Sequence, residues 1–100
     1  MNRAITPLLL ALMPATALAA PDAARLEYLL EQDCGSCHGL YLKGGLGSDL
    51  RAASLATREE AALARAISDG IPGTAMPPWK ALLSEEDIAW LAARLKMGVP

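Results

Sequence analysis

At 100 residues and a formal charge of −2, the chain allows one domain at most. Its Lys and Arg residues gather into no basic block, which excludes a nucleic-acid footprint. A fold this small and without phenylalanine buries little apolar surface, and domains below roughly 70–80 residues usually need a staple.

The N-terminus reads as a targeting segment. Met1-Asn2-Arg3 supplies positive charge, Ile5 to Leu12 an apolar stretch, and Ala17-Leu18-Ala19 an A-x-A-like cleavage site. Cleavage after Ala19 leaves residues 20–100 as the mature domain, more acidic by one charge because Arg3 is lost. Cleavage one residue later would place Pro21 first, which signal peptidases avoid. The alternative is an uncleaved anchor. Against it, the apolar run falls short of the roughly 20 residues of a membrane span, and Pro7 and Pro14 interrupt it.

Pro21 and Asp22 open a helical pattern to about Asp33, with Leu26, Leu29 and Leu30 on one face. It delivers the chain to Cys34-Gly35-Ser36-Cys37-His38, a C-x-x-C-H motif of the kind that attaches haem c. Two thiols at this spacing can each form a thioether to one edge of a porphyrin, and the adjacent histidine can then ligate the iron. Cys34, Cys37 and His38 are the only cysteines and histidine in the chain, so the motif accounts for the whole inventory. One covalently held haem per chain would supply the missing staple.

Gly39 to Leu50 contains Gly39, Gly44, Gly45 and Gly47 and reads as a loop. Tyr41 and Lys43 within it read as solvent-facing, and Asp49 with Arg51 as a surface pair of little energetic weight. Thr57 and Glu60 suggest a capping box for a second helix, whose apolar side is Leu63, Ala64 and Ile67 and which Asp69-Gly70 ends. The stretch from Gly70 to Pro78 is extended or turning. Ser84 caps a last helix, with Glu85, Glu86 and Asp87 in its first turn and Arg94 and Lys96 in its last, complementing the helix dipole. Ile88, Leu91 and Leu95 form its buried stripe, with Trp90 close to that face. No strand pattern occurs, so the fold class is all-α.

A haem iron bound by one histidine has a second axial position, and its occupant decides the function. Met76 is the candidate, in Gly73-Thr74-Ala75-Met76-Pro77-Pro78-Trp79. A soft, neutral thioether favours the reduced state and raises the potential, and the flanking prolines stiffen the loop that carries it. Methionine is more often a core filler, but Met1 and Met13 leave with the targeting segment and Met97 ends the last helix. An open or water-filled sixth site is the alternative. Trp79 packs at the haem edge, directs its indole N–H to a propionate, or does both.

Zinc is excluded because no fourth cysteine or histidine ligand exists. A thioredoxin-like dithiol needs a βαβ context that the chain lacks. With Met76 ligated the iron is closed, and no second histidine can act as a distal proton donor, so an electron carrier is favoured over a haem enzyme.

The order of helix, attachment motif, late methionine loop and terminal helix resembles a class I cytochrome c over residues 21–97. That resemblance implies a small monohaem fold whose first and last helices cross beside the haem, so that Leu26 and Leu30 meet Trp90, Leu91 and Leu95. Two segments resemble the cytochrome c55X group more closely: Asp33 to Gly39 followed by Lys43-Gly44-Gly45-Leu46-Gly47, and Pro72 to Trp79. That group comprises small periplasmic cytochromes encoded beside the haem cd nitrite reductase of denitrifiers. The resemblance implies a monomeric periplasmic carrier whose redox partners are the nitrite reductase and an upstream quinol-oxidising donor, with no nucleic acid. A role in maturing the reductase's d-type haem is the alternative. Leu46, Ser48, Pro77 and Trp79 are the expected haem-pocket contacts.

One position departs from the pattern. Class I cytochromes place a proline where its carbonyl accepts from Nδ1–H of the ligand histidine, and here Ser48 stands there. Ser48 or Gly47 can still offer a carbonyl, but the φ restriction is lost, which predicts a softer loop over residues 44–50.

Overall fold

The computed structural model describes residues 2–11 and 20–99. The cleavage motif Ala17-Leu18-Ala19 lies outside them. Residues 2–11 form no regular element and leave Ile5, Leu8, Leu9 and Leu10 exposed.

Helix α1 (Ala23–Leu29) starts at Asp22, whose carboxylate accepts from the Arg25 backbone N–H at 3.2 Å. The chain does not leave the helix at Asp33, as the sequence suggested. It widens into a π-turn, Leu30–Cys34, and continues as α2 (Gly35–His38) through the whole C-x-x-C-H motif. No residue between Asp33 and His38 breaks a helix, and the Ser36 hydroxyl donates back to the Asp33 carbonyl at 2.8 Å.

The glycine-rich loop from Gly39 leads to a short helix, α3 (Ala52–Leu55), that the sequence did not announce. Leu42 anchors this loop: its side chain is buried in the core although its φ is +57°, a region that non-glycine residues seldom occupy. Burial of the leucine offsets the backbone cost.

Helix α4 (Glu60–Asp69) begins at Glu59 with no side-chain cap, so the expected Thr57–Glu60 capping box is not formed. Thr57 instead lies in the turn after α3, where Arg58 N–H donates to the Leu55 carbonyl at 2.9 Å. Lys96 Nζ closes this turn from outside, reaching the carbonyls of Leu55, Ala56 and Arg58 at 3.1, 3.4 and 2.7 Å. A cation thus satisfies the open end of α3.

Helix α5 (Glu85–Met97) has the cap expected of it. Asp87 N–H donates to Ser84 Oγ at 3.0 Å, and Ser84 N–H donates to the Asp87 carboxylate at 3.2 Å. Burial pushes the Asp87 carboxyl up, but the Ser84 backbone and hydroxyl together with Arg25 outweigh it and hold the group below its ordinary value.

The core joins Leu26 and Leu30 to Leu55, Leu63, Leu83, Ile88, Leu91 and Leu95, with Trp90 packed partly buried against it. Two ion pairs tie α1 to α5: Arg25 with Asp87 at 3.0 Å, and Arg94 with Glu27. The first and last helices therefore meet as expected. All regular elements among the described residues are helical, and no helix among them is long and apolar enough to cross a membrane.

Candidate functional site

His38 is the last residue of α2, so its ring leaves the helix end towards the following loop. Nδ1–H donates to the Ser48 carbonyl at 2.7 Å. That bond fixes the tautomer and leaves the Nε2 lone pair available to bind a metal. Gly47 lies flat on the ring: a Cβ there would stand 2.6 Å from both Cε1 and Nδ1 and 3.0 Å from Nε2. Only glycine lets the backbone approach the imidazole this closely. The loop is pinned to α2 by Gly47 N–H to the Cys37 carbonyl at 2.7 Å and Gly44 N–H to the His38 carbonyl at 2.8 Å.

Met76 is held differently. Gly70 ends α4 with φ +67° and ψ −175°, a conformation open essentially to glycine alone. A Cβ there would strike the Met76 carbonyl at 2.7 Å and the Pro78 nitrogen at 2.8 Å. The loop lies directly on this glycine. Ile71 N–H donates to the Met76 carbonyl at 3.2 Å, Thr74 Oγ1 donates to the Ile71 carbonyl at 2.6 Å, and Met76 N–H donates to Thr74 Oγ1 at 3.3 Å. Trp79 N–H then returns the chain to α4 through the Ile67 carbonyl at 2.9 Å.

Both segments face one cavity of about 560 Å³. Cys34, Cys37, His38 and Met76 all line it, and so do Leu46, Ser48, Pro77 and Trp79. Every residue expected at the site is therefore brought to one place. Its volume lies within the roughly 300–1,000 Å³ of cofactor pockets. Leu29, Leu30, Leu63, Ile67, Leu91 and Leu95 make the walls largely apolar. Cys34 is half-buried and Cys37 exposed, and the two form no disulfide. A largely apolar cavity lined by two thiols, an imidazole with an available Nε2 and a thioether fits a thiol-attached metalloporphyrin.

The sequence model of the family described as cytochrome c oxidase, cbb3-type, subunit III matches residues 21–93. The chain is 55% identical to cytochrome c55X of Paracoccus denitrificans (strain Pd 1222) over 89 residues, which cover 85% of this chain and 86% of the relative. It is 52% identical to cytochrome c55X of Stutzerimonas stutzeri over 92 residues, covering 89% of this chain and 81% of that one. The chain belongs to the cytochrome c55X family. Among solved structures, the c-type cytochrome NirC superposes on this cytochrome with a TM-score of 0.74 at 49% identity, covering 77% of this chain and 94% of NirC. Part of the dihydro-heme d1 dehydrogenase NirN, in complex with DHE, superposes with a TM-score of 0.68 at 32% identity, covering 74% of this chain and 16% of NirN.

The cytochrome's two thiols differ in environment. Burial first, then the Asp33 carboxylate, pushes the Cys34 thiol up to about 11. Tyr41 and Lys43 stand outside the cavity, with Lys43 Nζ 5.8 Å from the Tyr41 ring centroid. Sequence reasoning missed two contributors, Gly47 as the surface beneath the imidazole and Gly70 as the platform beneath the Met76 loop. Gly70 was visible in the sequence only as a helix-end signal, and Gly47 as a loop residue and a possible carbonyl acceptor for the histidine hydrogen bond, not as a surface under the ring. It also missed Arg58, a cavity-lining cation in the turn after α3.

Proposed function

We propose that this cytochrome is a periplasmic single-electron carrier that holds one haem c through thioethers at Cys34 and Cys37, with His38 and Met76 as axial ligands. The observation that carries the reading is the convergence of these four side chains on one apolar cavity. A haem iron cycling between Fe(III) and Fe(II) supplies the one-electron chemistry when bound. The protein's part is to keep both ligand positions the same in the two states. Ser48 and Gly47 set the imidazole plane, and Gly70, Thr74 and the prolines set the methionine loop. The apolar walls exclude water, which favours the less charged ferrous state. Trp79 lines the cavity with an indole N–H suited to a propionate.

Leu46 is 85% exposed and Ile71 46%, and both belong to the cavity lining, so the mouth presents apolar surface to a partner. Small, weakly charged contacts suit a carrier that must leave as readily as it arrives. The partner in this reading is a haem cd nitrite reductase, with a quinol-oxidising donor upstream, and the carrier acts as a monomer. Residues 1–19 act as the signal peptide that directs residues 20–100 to the periplasm.

The 32% identity to part of NirN, a dihydro-heme d1 dehydrogenase, favours a second reading, in which the cytochrome assists maturation of the d-type haem. Rapid oxidation of the reduced protein by mature nitrite reductase supports the donor role. A stoichiometric complex with the d-type haem precursor or the apo-reductase supports maturation. The ligand set is tested by the optical spectrum of the ferric holo-protein. The weak far-red charge-transfer band of Fe–S(Met) ligation is expected in the wild type and lost in Met76→Ala. Its absence from the wild type would remove the closed-iron argument and with it the carrier.

A further inference from the structure

We propose that the Asp49–Arg51 pair is the element that positions the Ser48 carbonyl on His38, and so controls the donor strength of that imidazole. The inference rests on the reading of His38 as iron ligand. Ser48 has no ring to restrict its φ, and its N–H makes no backbone hydrogen bond among the described residues. The next residue, by contrast, is held from several directions. The Asp49 carboxylate accepts from Arg51 backbone N–H at 2.8 Å, from Arg51 Nε at 3.1 Å to each oxygen, and from Arg51 Nη2 at 2.7 Å. This fork closes a ring over three residues and fixes Asp49, the residue bonded to the Ser48 carbonyl carbon.

The clamp is in turn attached to the core. The Arg51 carbonyl accepts from Ser54 N–H at 2.9 Å and Leu55 N–H at 3.2 Å, which builds the first turn of α3, and Leu55 is buried. Leu50 N–H bonds the Leu42 carbonyl at 2.9 Å, so the same stretch is tied back to the other buried anchor of the loop. The Ser48 carbonyl is thus braced by the clamp after it and, before it, by Gly47 N–H on the Cys37 carbonyl at 2.7 Å. Restriction of φ by a proline and restriction by a side-chain fork are two routes to the same end.

Exposure separates positioning from stability. Arg51 is 53% exposed and Asp49 25%, so the pair adds little to global stability. The Arg51 fork holds the Asp49 carboxyl far below the usual range, so the clamp stays charged at any working pH. What the clamp does govern is the length and direction of the Nδ1–H bond. A strong bond there makes the imidazole a better donor and favours the ferric state. Opening the clamp lets the carbonyl drift, weakens that bond and raises the potential.

The test uses the holo-protein and the double variant Asp49→Ala/Arg51→Ala, which removes the clamp without changing net charge. Two quantities are read: solvent exchange of the His38 Nδ1–H by NMR of the reduced protein, and the midpoint potential by spectroelectrochemistry. Exchange about tenfold faster and a higher potential are expected. Adding Ser48→Pro to the double variant is expected to bring both back towards wild type, because the ring restores the lost restriction. The single variants separate geometry from charge. Each accelerates exchange if the pair is a clamp, whereas a pure charge effect moves the potential in opposite directions and leaves exchange alone.

Wild-type exchange and potential in the double variant would overturn the inference, as would exchange that stays fast after Ser48→Pro. If the double variant fails to fold, Arg51→Ala alone decides by the same exchange measurement. Ferric EPR and the far-red band, recorded on every sample, report the axial ligands independently. A wild type without histidine ligation sinks the reading of His38 on which the inference rests, whereas intact ligation with unchanged exchange sinks only the clamp.

Discussion

The two sides of the cavity present His38 and Met76 in opposite ways. On the histidine side the protein grips the functional side chain itself: Ser48 accepts from the ring and Gly47 stacks on it. On the methionine side the hydrogen bonds go to the backbone and the loop, through Gly70, Ile71 and Thr74, and the thioether keeps its rotatable bonds. An imidazole is a planar ligand whose orientation matters to the metal, whereas a thioether needs only to arrive at the right distance. The histidine ring is therefore the fixed end of the site, and the methionine side chain is expected to be the end that yields first.

The largest test of that asymmetry is Gly47→Ala. A methyl 2.6 Å from the ring must displace the imidazole or the loop, at an overpacking cost of roughly 1–3 kcal/mol with the Ser48 hydrogen bond lost in addition. The expected result is a severe fall in the yield of holo-protein, measured by haem stain against total chain. Normal yield with a normal potential would mean that the ring is not held from this side.

Gly70→Ala comes next. Forcing a side chain into a glycine-only conformation costs on the order of 1–3 kcal/mol, and the added carbon meets the Met76 carbonyl. The far-red band should then be lost at lower temperature and milder alkalinity than in the wild type, while histidine ligation persists in EPR. Loss of both ligands together would break the distinction between the two sides.

Ser84→Ala serves as the control away from both ligands. Removing the α5 cap costs about 1 kcal/mol. Denaturant titration should show lower stability with an unchanged far-red band under native conditions. The same cap sets a pH dependence. The Asp87 carboxyl has a folded value below its unfolded one, so its stabilisation is full above the unfolded value of about 3.9 and vanishes as pH falls through the folded value. Asp87→Asn should therefore flatten the loss of stability at acid pH and leave neutral-pH ligation unchanged. The smallest effect is expected of Thr57→Ala, within about 0.5 kcal/mol, because Thr57 caps nothing.

The helices were legible where local chemistry decides. Asp22 and Ser84 cap as their positions suggest, and the Leu26, Leu91 and Leu95 stripes are buried. Local chemistry misled at Thr57, which the turn after α3 takes up, so that α4 starts two residues later with Glu59 at its N-terminus. It was silent at Gly35 to His38, because a helix crossing a binding motif looks no different in sequence from a helix ending before it. Asp49 and Arg51 read as a solvated pair, since spacing alone does not show which neighbouring peptide a surface fork immobilises.

The sequence by itself determined the chemistry: two thiols and an imidazole within five residues, and a methionine stiffened by prolines far downstream. Those are covalent facts, and no fold alters them. The packed fold alone settled that the eight expected site residues share one cavity, that Ser48 rather than Gly47 accepts the histidine hydrogen bond, and that two glycines set the backbone approach to His38 and Met76. Close approach between segments distant in the chain depends on where the whole backbone is packed, which no local pattern encodes.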